Sequence, residues 1–289
     1  MSEAPGVLVV GSLHHDLMVA APHRPSAGET VQGTAWFPKF GGKGGNQAVA
    51  AARAGARTRM LGAVGDDGFG AFLREGLRRG GVDDALVATL PGQGSGMSVA
   101  ISDPSGDYGA VIVSGANLLI DAGGLAEAAV WDGVAVLLLQ NEVREDLNLA
   151  AGEAARARGV RVCLNAAPYR SLPDALAALL DVLVVNAIEA EALAGLPVGD
   201  AGGALRAARA LGERFPVAVV TAGGDGVAVA ERGGGSFALP AERIVPVSTH
   251  GAGDAFVGTL AATLAQGASL REAVEAANRR AARHVAGDG

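Results

Sequence analysis

The run Ser248-Thr249-His250-Gly251-Ala252-Gly253-Asp254 leads straight into a helical apolar pattern at Phe256, Val257, Leu260, Ala261 and Leu264. Small residues at 251 to 253 let the chain turn so that several backbone N–H groups converge at a helix N-terminus. Unpaired donors and the macrodipole favour a phosphate there. Asp254 falls in the first turn of that helix. Its carboxylate, ionised near neutral pH, is placed to accept a proton from a hydroxyl held beside the phosphate, the general-base task of phosphoryl transfer. The same residues also fit a plain glycine turn whose aspartate caps the helix, so other segments decide between the two.

A second glycine run, Gly41-Gly42-Lys43-Gly44-Gly45-Asn46, opens the helical stretch Gln47 to Ala54. Glycines permit close backbone approach to a ligand. The run is not a P-loop, because the Gly-Lys-Ser/Thr ending and the four-residue spacer are missing. Gly11-Ser12-Leu13-His14-His15-Asp16 stands after the first apolar run where a dinucleotide-binding domain would carry Gly-x-Gly-x-x-Gly. Lys43 and Asn46 are polar groups pinned at a helix start; they suit hydroxyls, and Asn46 equally suits a simple N-cap.

These runs need a scaffold, and the rest of the chain supplies one. Short, continuous apolar runs at Val7–Val10, Thr58–Ala63, Val134–Leu139, Val160–Leu164, Val182–Val185 and Val217–Thr221 read as strands buried on both faces. Ala-rich helical patterns follow at 47–54, 69–79, 144–158, 188–194, 203–214, 255–266 and 270–285, with Gly55, Gly80 and Gly267 as C-terminal stops. This alternation predicts an α/β fold with a doubly wound, mostly parallel sheet. Two segments break it, residues 16–40 and 95–113. In the second, 97–102 and 108–113 flank an Asp-Pro-Ser-Gly-Asp turn and read as a hairpin. Together they form either a small β lid over the strand ends or extra edge strands.

Composition narrows the function. The 289 residues are 49% hydrophobic, enough for a full core in a single α/β domain over 1–289. With 44 Gly and 4% aromatics, close-packed helices on a sheet are expected. The net charge of −7 and the lack of a basic run argue against nucleic acid as a partner. Cys163 is the one cysteine, which excludes an intrachain disulfide and a thiolate metal cluster. No His pair has helical metal-ligand spacing, and His15, His23 and His284 read as surface residues. No run approaches the roughly 20 apolar residues of a membrane span and no signal peptide stands at the start, so no membrane partner and a cytoplasmic location are expected.

Taken together, the motifs resemble the ribokinase-like, phosphofructokinase-B-type family of sugar and nucleoside kinases. The resemblance runs from residue 6 to about 286 and rests above all on Gly41–Gly55 and Gly251–Phe256, in the family's order and at its separation. Asn186-Ala187-Ile188-Glu189 looks like the family's Asn-x-x-Glu motif, and Thr221-Ala222-Gly223-Gly224-Asp225-Gly226 like its nucleotide-contacting strand and turn. The stretch from Gly28 to Gly42 and Gly115-Ala116-Asn117 add to the likeness. The resemblance implies a central sheet, a β lid and ATP-dependent phosphorylation of a primary hydroxyl. Carried over residue by residue, Asp254 is the base, and Gly251, Ala252 and Gly253 are the anion hole. His14, Asp16, Gly42, Lys43, Asn46 and Glu142 bind the sugar. Asn186, Thr221, Gly223, Gly226, Gly253 and Asn278 lie on the nucleotide side, and Asn186 with Glu189 holds Mg²⁺ mostly through water. Homodimerisation through the lid is also implied.

Two departures stand out. His14 replaces an Asn that binds sugar in ribokinases, so the hydroxyl pattern read there can differ. Ser248 replaces an Asp near the monovalent-cation site, and the chain stops at Gly289 before the family's final cation loop, which leaves K⁺ activation doubtful. The expected activity is that of an ATP-dependent sugar kinase acting on D-ribose. Alternatives are another pentose, a keto sugar or a nucleoside as acceptor, or a catalytically weak sugar-binding regulatory protein.

Overall fold

The Val- and Leu-rich runs become strands because both of their faces can be buried, and the Ala-rich runs between them become the helices that bury them. The computed structural model describes residues 5–104 and 108–287. In chain order, the first half holds β1 (Gly6–Val10), β2 (His14–Ala20), β3 (Ala35–Gly41), α1 (Lys43–Arg53), β4 (Arg57–Gly65), α2 (Gly68–Arg79), β5 (Val87–Leu90), β6 (Met97–Ser102) and β7 (Tyr108–Val113). The second half holds β8 (Val134–Gln140), α3 (Glu145–Arg156), β9 (Arg161–Asn165), α4 (Asp174–Ala177), β10 (Val182–Asn186), α5 (Ala187–Ala194) and α6 (Ala201–Arg214). It ends with β11 (Val217–Thr221), β12 (Val227–Glu231), β13 (Ser236–Leu239), α7 (Ala252–Ala265) and α8 (Leu270–Val285).

Nine strands form the main sheet in the order β13-β12-β11-β10-β9-β8-β1-β4-β5. It is parallel from β11 to β5, and β12 and β13 close one edge antiparallel. Side chains alternate between two cores: Leu8, Val10, Leu137, Leu139 and Val185 pack with α3 and α6, whereas Val7, Val9, Leu138 and Val184 pack with α1, α7 and α8. The doubly wound sheet expected from the alternation is therefore present. In such sheets the carboxyl ends of the strands are where ligands bind. Here they deliver Ser12, Gln140, Asn165, Asn186 and Thr221 to one end of the molecule.

A separate four-stranded sheet, β3-β2-β6-β7, corresponds to the segments 16–40 and 95–113. The hairpin is present, with Met97 opposite Val113; residues 105–107 of its expected turn lie outside the described residues. Its first strand begins at His14, two residues earlier than the segment boundary, so positions 14 and 16, expected to bind sugar, belong to this small sheet. The expectation that His15 lies on the surface is wrong. Its ring is 6% exposed, stacked 4.0 Å from Phe69 and edge-on to Phe72 at 4.7 Å, and it fastens β2 to α2. Strands β5, β12 and β13 were not expected; two of them have four residues each and sit at sheet edges, where an apolar run is too short to stand out.

Helices α1 and α7 touch along small residues. A methyl group built on Gly258 would overlap the backbone at Gln47 and Ala51 and the side chain of Ala50. Gly258→Ala is expected to force the two helices apart and lower stability by about 1–3 kcal/mol, read from the midpoint of urea unfolding.

Candidate active site

Gly251, at φ 86°, ends the approach loop in the left-handed region that only glycine enters readily, and α7 starts at the next residue. The first-turn amides of Gly253 and Asp254 have no intrahelical carbonyl to bond, and a side chain at Gly253 would meet nothing within 4 Å, so that turn opens outward. The Ala252 amide leans on the Thr249 carbonyl at 3.3 Å, which leaves the expected three-amide hole with one amide already engaged. His284 on α8 reaches the His250 carbonyl at 2.9 Å and props the loop from behind.

Asp254 lies just inside this turn and is 8% exposed. Its carboxylate accepts from Gln47 Nε2 at 2.9 Å on Oδ1 and from Asn46 Nδ2 at 3.2 Å on Oδ2. Both donors come from the first turn of α1, 208 and 207 residues earlier in the chain. The two glycine motifs read separately in the sequence thus meet over one carboxylate. Burial pushes the Asp254 carboxyl above its ordinary value, and the Lys43 charge with the Gln47 and Asn46 bonds opposes it.

Helix α1 begins at Lys43 behind Gly42, whose φ of 86° and whose contact with the backbone of Ser12, Leu13 and His14 exclude any side chain. That close approach brings the α1 N-terminus onto the floor of the sheet. Glu142, just past β8, accepts on Oε2 from Ser12 Oγ at 2.5 Å and from the Lys43 amide at 2.8 Å, with His14 Nδ1 at 3.7 Å. Asp16 accepts from Ser98 Oγ at 2.5 Å across the β2–β6 register and lies against Gly41. His14, Asp16, Gly42, Lys43, Asn46, Glu142 and Asp254 are therefore gathered in one polar cluster. Buried His14 Nε2 has no partner among the described residues, a ring nitrogen available to a hydroxyl.

Of the residues expected on the nucleotide side, Asn186 and Thr221 are register partners on β10 and β11, and Gly223 and Gly226 bracket the 3₁₀ turn Gly223–Asp225. Asn186 and Glu189 form a capping box: Asn186 Oδ1 accepts from the Glu189 amide and Glu189 Oε2 from the Asn186 amide, each at 2.9 Å. Burial raises the Glu189 pKa, against the Asn186 bonds and the Lys43 charge. Asn278, expected on the adenine side, donates through Nδ2 to the Pro240 carbonyl at 2.9 Å and anchors the loop after β13. Ser248 is exposed and its Oγ accepts from the His250 amide at 3.3 Å. Sequence reading missed Ser12, Gln47, Ser98 and Asn165 as site residues. The adjacency of Gln47 to Asn46 was the one available signal; the others are visible only through sheet topology.

These residues occupy the site on which the sequence motifs converge, and the whole chain can be compared with known proteins. A model described as pfkB family carbohydrate kinase matches residues 4–288. The chain belongs to the pfkB family of carbohydrate kinases. A protein named ribokinase from Mus musculus is 36% identical to this pfkB kinase over 282 residues, 96% of this chain and 87% of the mouse protein. A deoxyribokinase from Salmonella typhi is 32% identical over 285 residues, 98% of this chain and 93% of that one. The solved structure of Arabidopsis thaliana ribokinase complexed with ribose and ATP has a TM-score of 0.89 to it at 26% identity, covering 98% of this chain and 93% of that one.

In this pfkB kinase the Asp254 carboxyl is expected to titrate above its ordinary value of 3.8, becoming a carboxylate as pH rises through the raised midpoint. Carbon-13 NMR of the carboxyl follows this directly. Lys43→Met removes the main charge that opposes burial and is expected to move the midpoint higher still.

Proposed function

We propose that this chain transfers the γ-phosphoryl group of ATP to a primary hydroxyl of D-ribose, with Asp254 as the general base. Kinase activity on a carbohydrate follows from the family. The observation that carries the residue roles is the bond from Asn46 to Asp254, which links the cluster suited to sugar hydroxyls with the carboxylate at the helix N-terminus.

In this reading the sugar lies between β2 and α1, held by Asp16, Glu142, His14, Lys43 and Asn46, and its reactive hydroxyl points at Asp254. Asp254 Oδ2 takes the hydroxyl proton as the sugar oxygen bonds to the γ-phosphorus, and the bond from that phosphorus to the bridging oxygen of ADP breaks in line. The amides of Gly253 and Asp254, with the Gly251 turn and the α7 dipole, stabilise charge on the transferring group. Thr221, Gly223 and Gly226 flank the nucleotide.

Mg²⁺ accompanies ATP in this proposal, and when bound it neutralises charge on the phosphates. The residues fit an ion that keeps most of its water. Glu189 and Asn186 each commit one oxygen to the capping box, and among the described residues no group of three or more His, Cys, Asp or Glu forms a dedicated cage. K⁺ is not part of the proposal, because exposed Ser248 offers no carboxylate. Trp36 and Val111, 68% and 69% exposed, lie on the face of the small sheet opposite Asp16 and give it an apolar outer patch suited to a homodimer contact. Similarity to a deoxyribokinase favours one second reading, 2-deoxy-D-ribose as acceptor, with His14 Nε2 reading a different hydroxyl pattern.

Asp254→Asn is expected to keep ATP affinity and to lower kcat by roughly 10²- to 10⁴-fold, measured by coupled ADP release; a mutant of normal turnover rules out the base. Across D-ribose, 2-deoxy-D-ribose, D-fructose and adenosine the same assay is expected to give the highest kcat/KM with D-ribose. Preference for adenosine would contradict the pentose site.

A further inference from the structure

Gln47 is fully buried, and its Oε1 has no hydrogen-bond partner among the described residues. Its Nε2 is used twice, donating at 2.9 Å to Asn165 Oδ1 and at 2.9 Å to Asp254 Oδ1. Leaving a buried amide oxygen bare is unfavourable, so whatever orients this side chain acts through its two N–H groups.

The orientation originates on a neighbouring strand. Asn165, at the end of β9 and 7% exposed, donates through Nδ2 to the Val184 carbonyl of β10 at 3.2 Å. A carbonyl only accepts, so Asn165 must turn its nitrogen to Val184 and its oxygen to Gln47. Gln47 must then present its NH₂, and the second hydrogen falls on Asp254. A series of hydrogen bonds thus links β10, β9, α1 and α7, with Gln47 donating both to Asn165, which itself donates to Val184, and to the carboxylate on α7. It fixes Oδ1, whereas Oδ2 receives only the longer bond from Asn46.

We propose that Gln47 and Asn165 are positioning residues for phosphoryl transfer: they clamp Oδ1 of Asp254 so that Oδ2 alone faces the acceptor hydroxyl. This rests on the reading of Asp254 as the base. A carboxylate free to rotate about its Cβ–Cγ bond would offer the hydroxyl either oxygen at poorer angles, and misplacement of a reacting group is costly to turnover. Among the described residues neither amide hydrogen-bonds Asp16, His14 or Glu142, and Gln47 meets the polar cluster through Asp254. The clamp therefore acts on the chemical step and leaves ground-state binding alone.

The test is steady-state kinetics with thermal unfolding on the full chain. Gln47→Met, similar in shape but without donors, is expected to lower kcat by roughly 10- to 100-fold while KM for sugar and for ATP stays within about two-fold. Its melting temperature is expected to fall, because Asn165 Oδ1 and Asp254 Oδ1 lose their donor, so the kcat-against-KM split carries the test. Asn165→Leu should show the same kcat-specific loss from the other end of the series, so either variant that folds decides the matter. The double variant should be no slower than Gln47→Met alone, since two members of one series do not act independently. Normal kcat in a folded single variant, losses that multiply, or a kcat loss matched by higher KM would overturn the clamp. If Asp254→Asn is itself fully active, the base assignment fails. If it is inactive and Gln47→Met is normal, only the clamp fails.

Discussion

One carboxylate buried between two helix N-termini sets the terms for the rest of this molecule. A desolvated charge is tolerated only where donors and opposite charge meet it. Asp254 has amide donors from Gln47 and Asn46, the Lys43 charge and the positive end of its own helix. None of that works unless α1 and α7 lie almost in contact. The alanines at 48, 51, 261 and 262 and the glycine at 258 allow that contact, so the Ala- and Gly-rich composition is a geometric requirement of the site.

The local charge balance follows from the same geometry. Asp16, Glu142, Glu189 and Asp254 place four acids around the space that would receive a polyphosphate, on a chain already at −7. Lys43, Lys39 beside Asp16 and two helix N-termini are nearby positive elements, and they are focused where a general surface charge would be diffuse. Most of the acids are already occupied by internal donors. Ser12 and the Lys43 amide hold Glu142, Ser98 holds Asp16, and the Asn186 amide holds Glu189.

The main sheet, the paired small sheet and both glycine motifs were legible in the sequence because each has a local signature: a continuous apolar run, a broken alternation, or glycines at a helix start. Long-range pairing had no such signature. Asn165 reads as the polar end of an apolar strand, and only the neighbouring β10 gives it a role. His15 reads as a surface imidazole until Phe69 and Phe72 of α2 close over it. The bond from the Asn278 amide to the Pro240 carbonyl, 38 residues away in the chain, likewise has no local signature. Edge strands such as β13 were missed because four residues carry too little periodicity.

The chain first crosses from the floor to the small sheet through Gly11, Ser12 and Leu13, the residues between β1 and β2. Ser12 holds Glu142 on the floor side, while His14 and Asp16 ride on the strand that follows. Any tilt of that sheet would therefore pull the two halves of the sugar cluster apart. The seating of the small sheet on the floor therefore decides whether this polar cluster is whole or split.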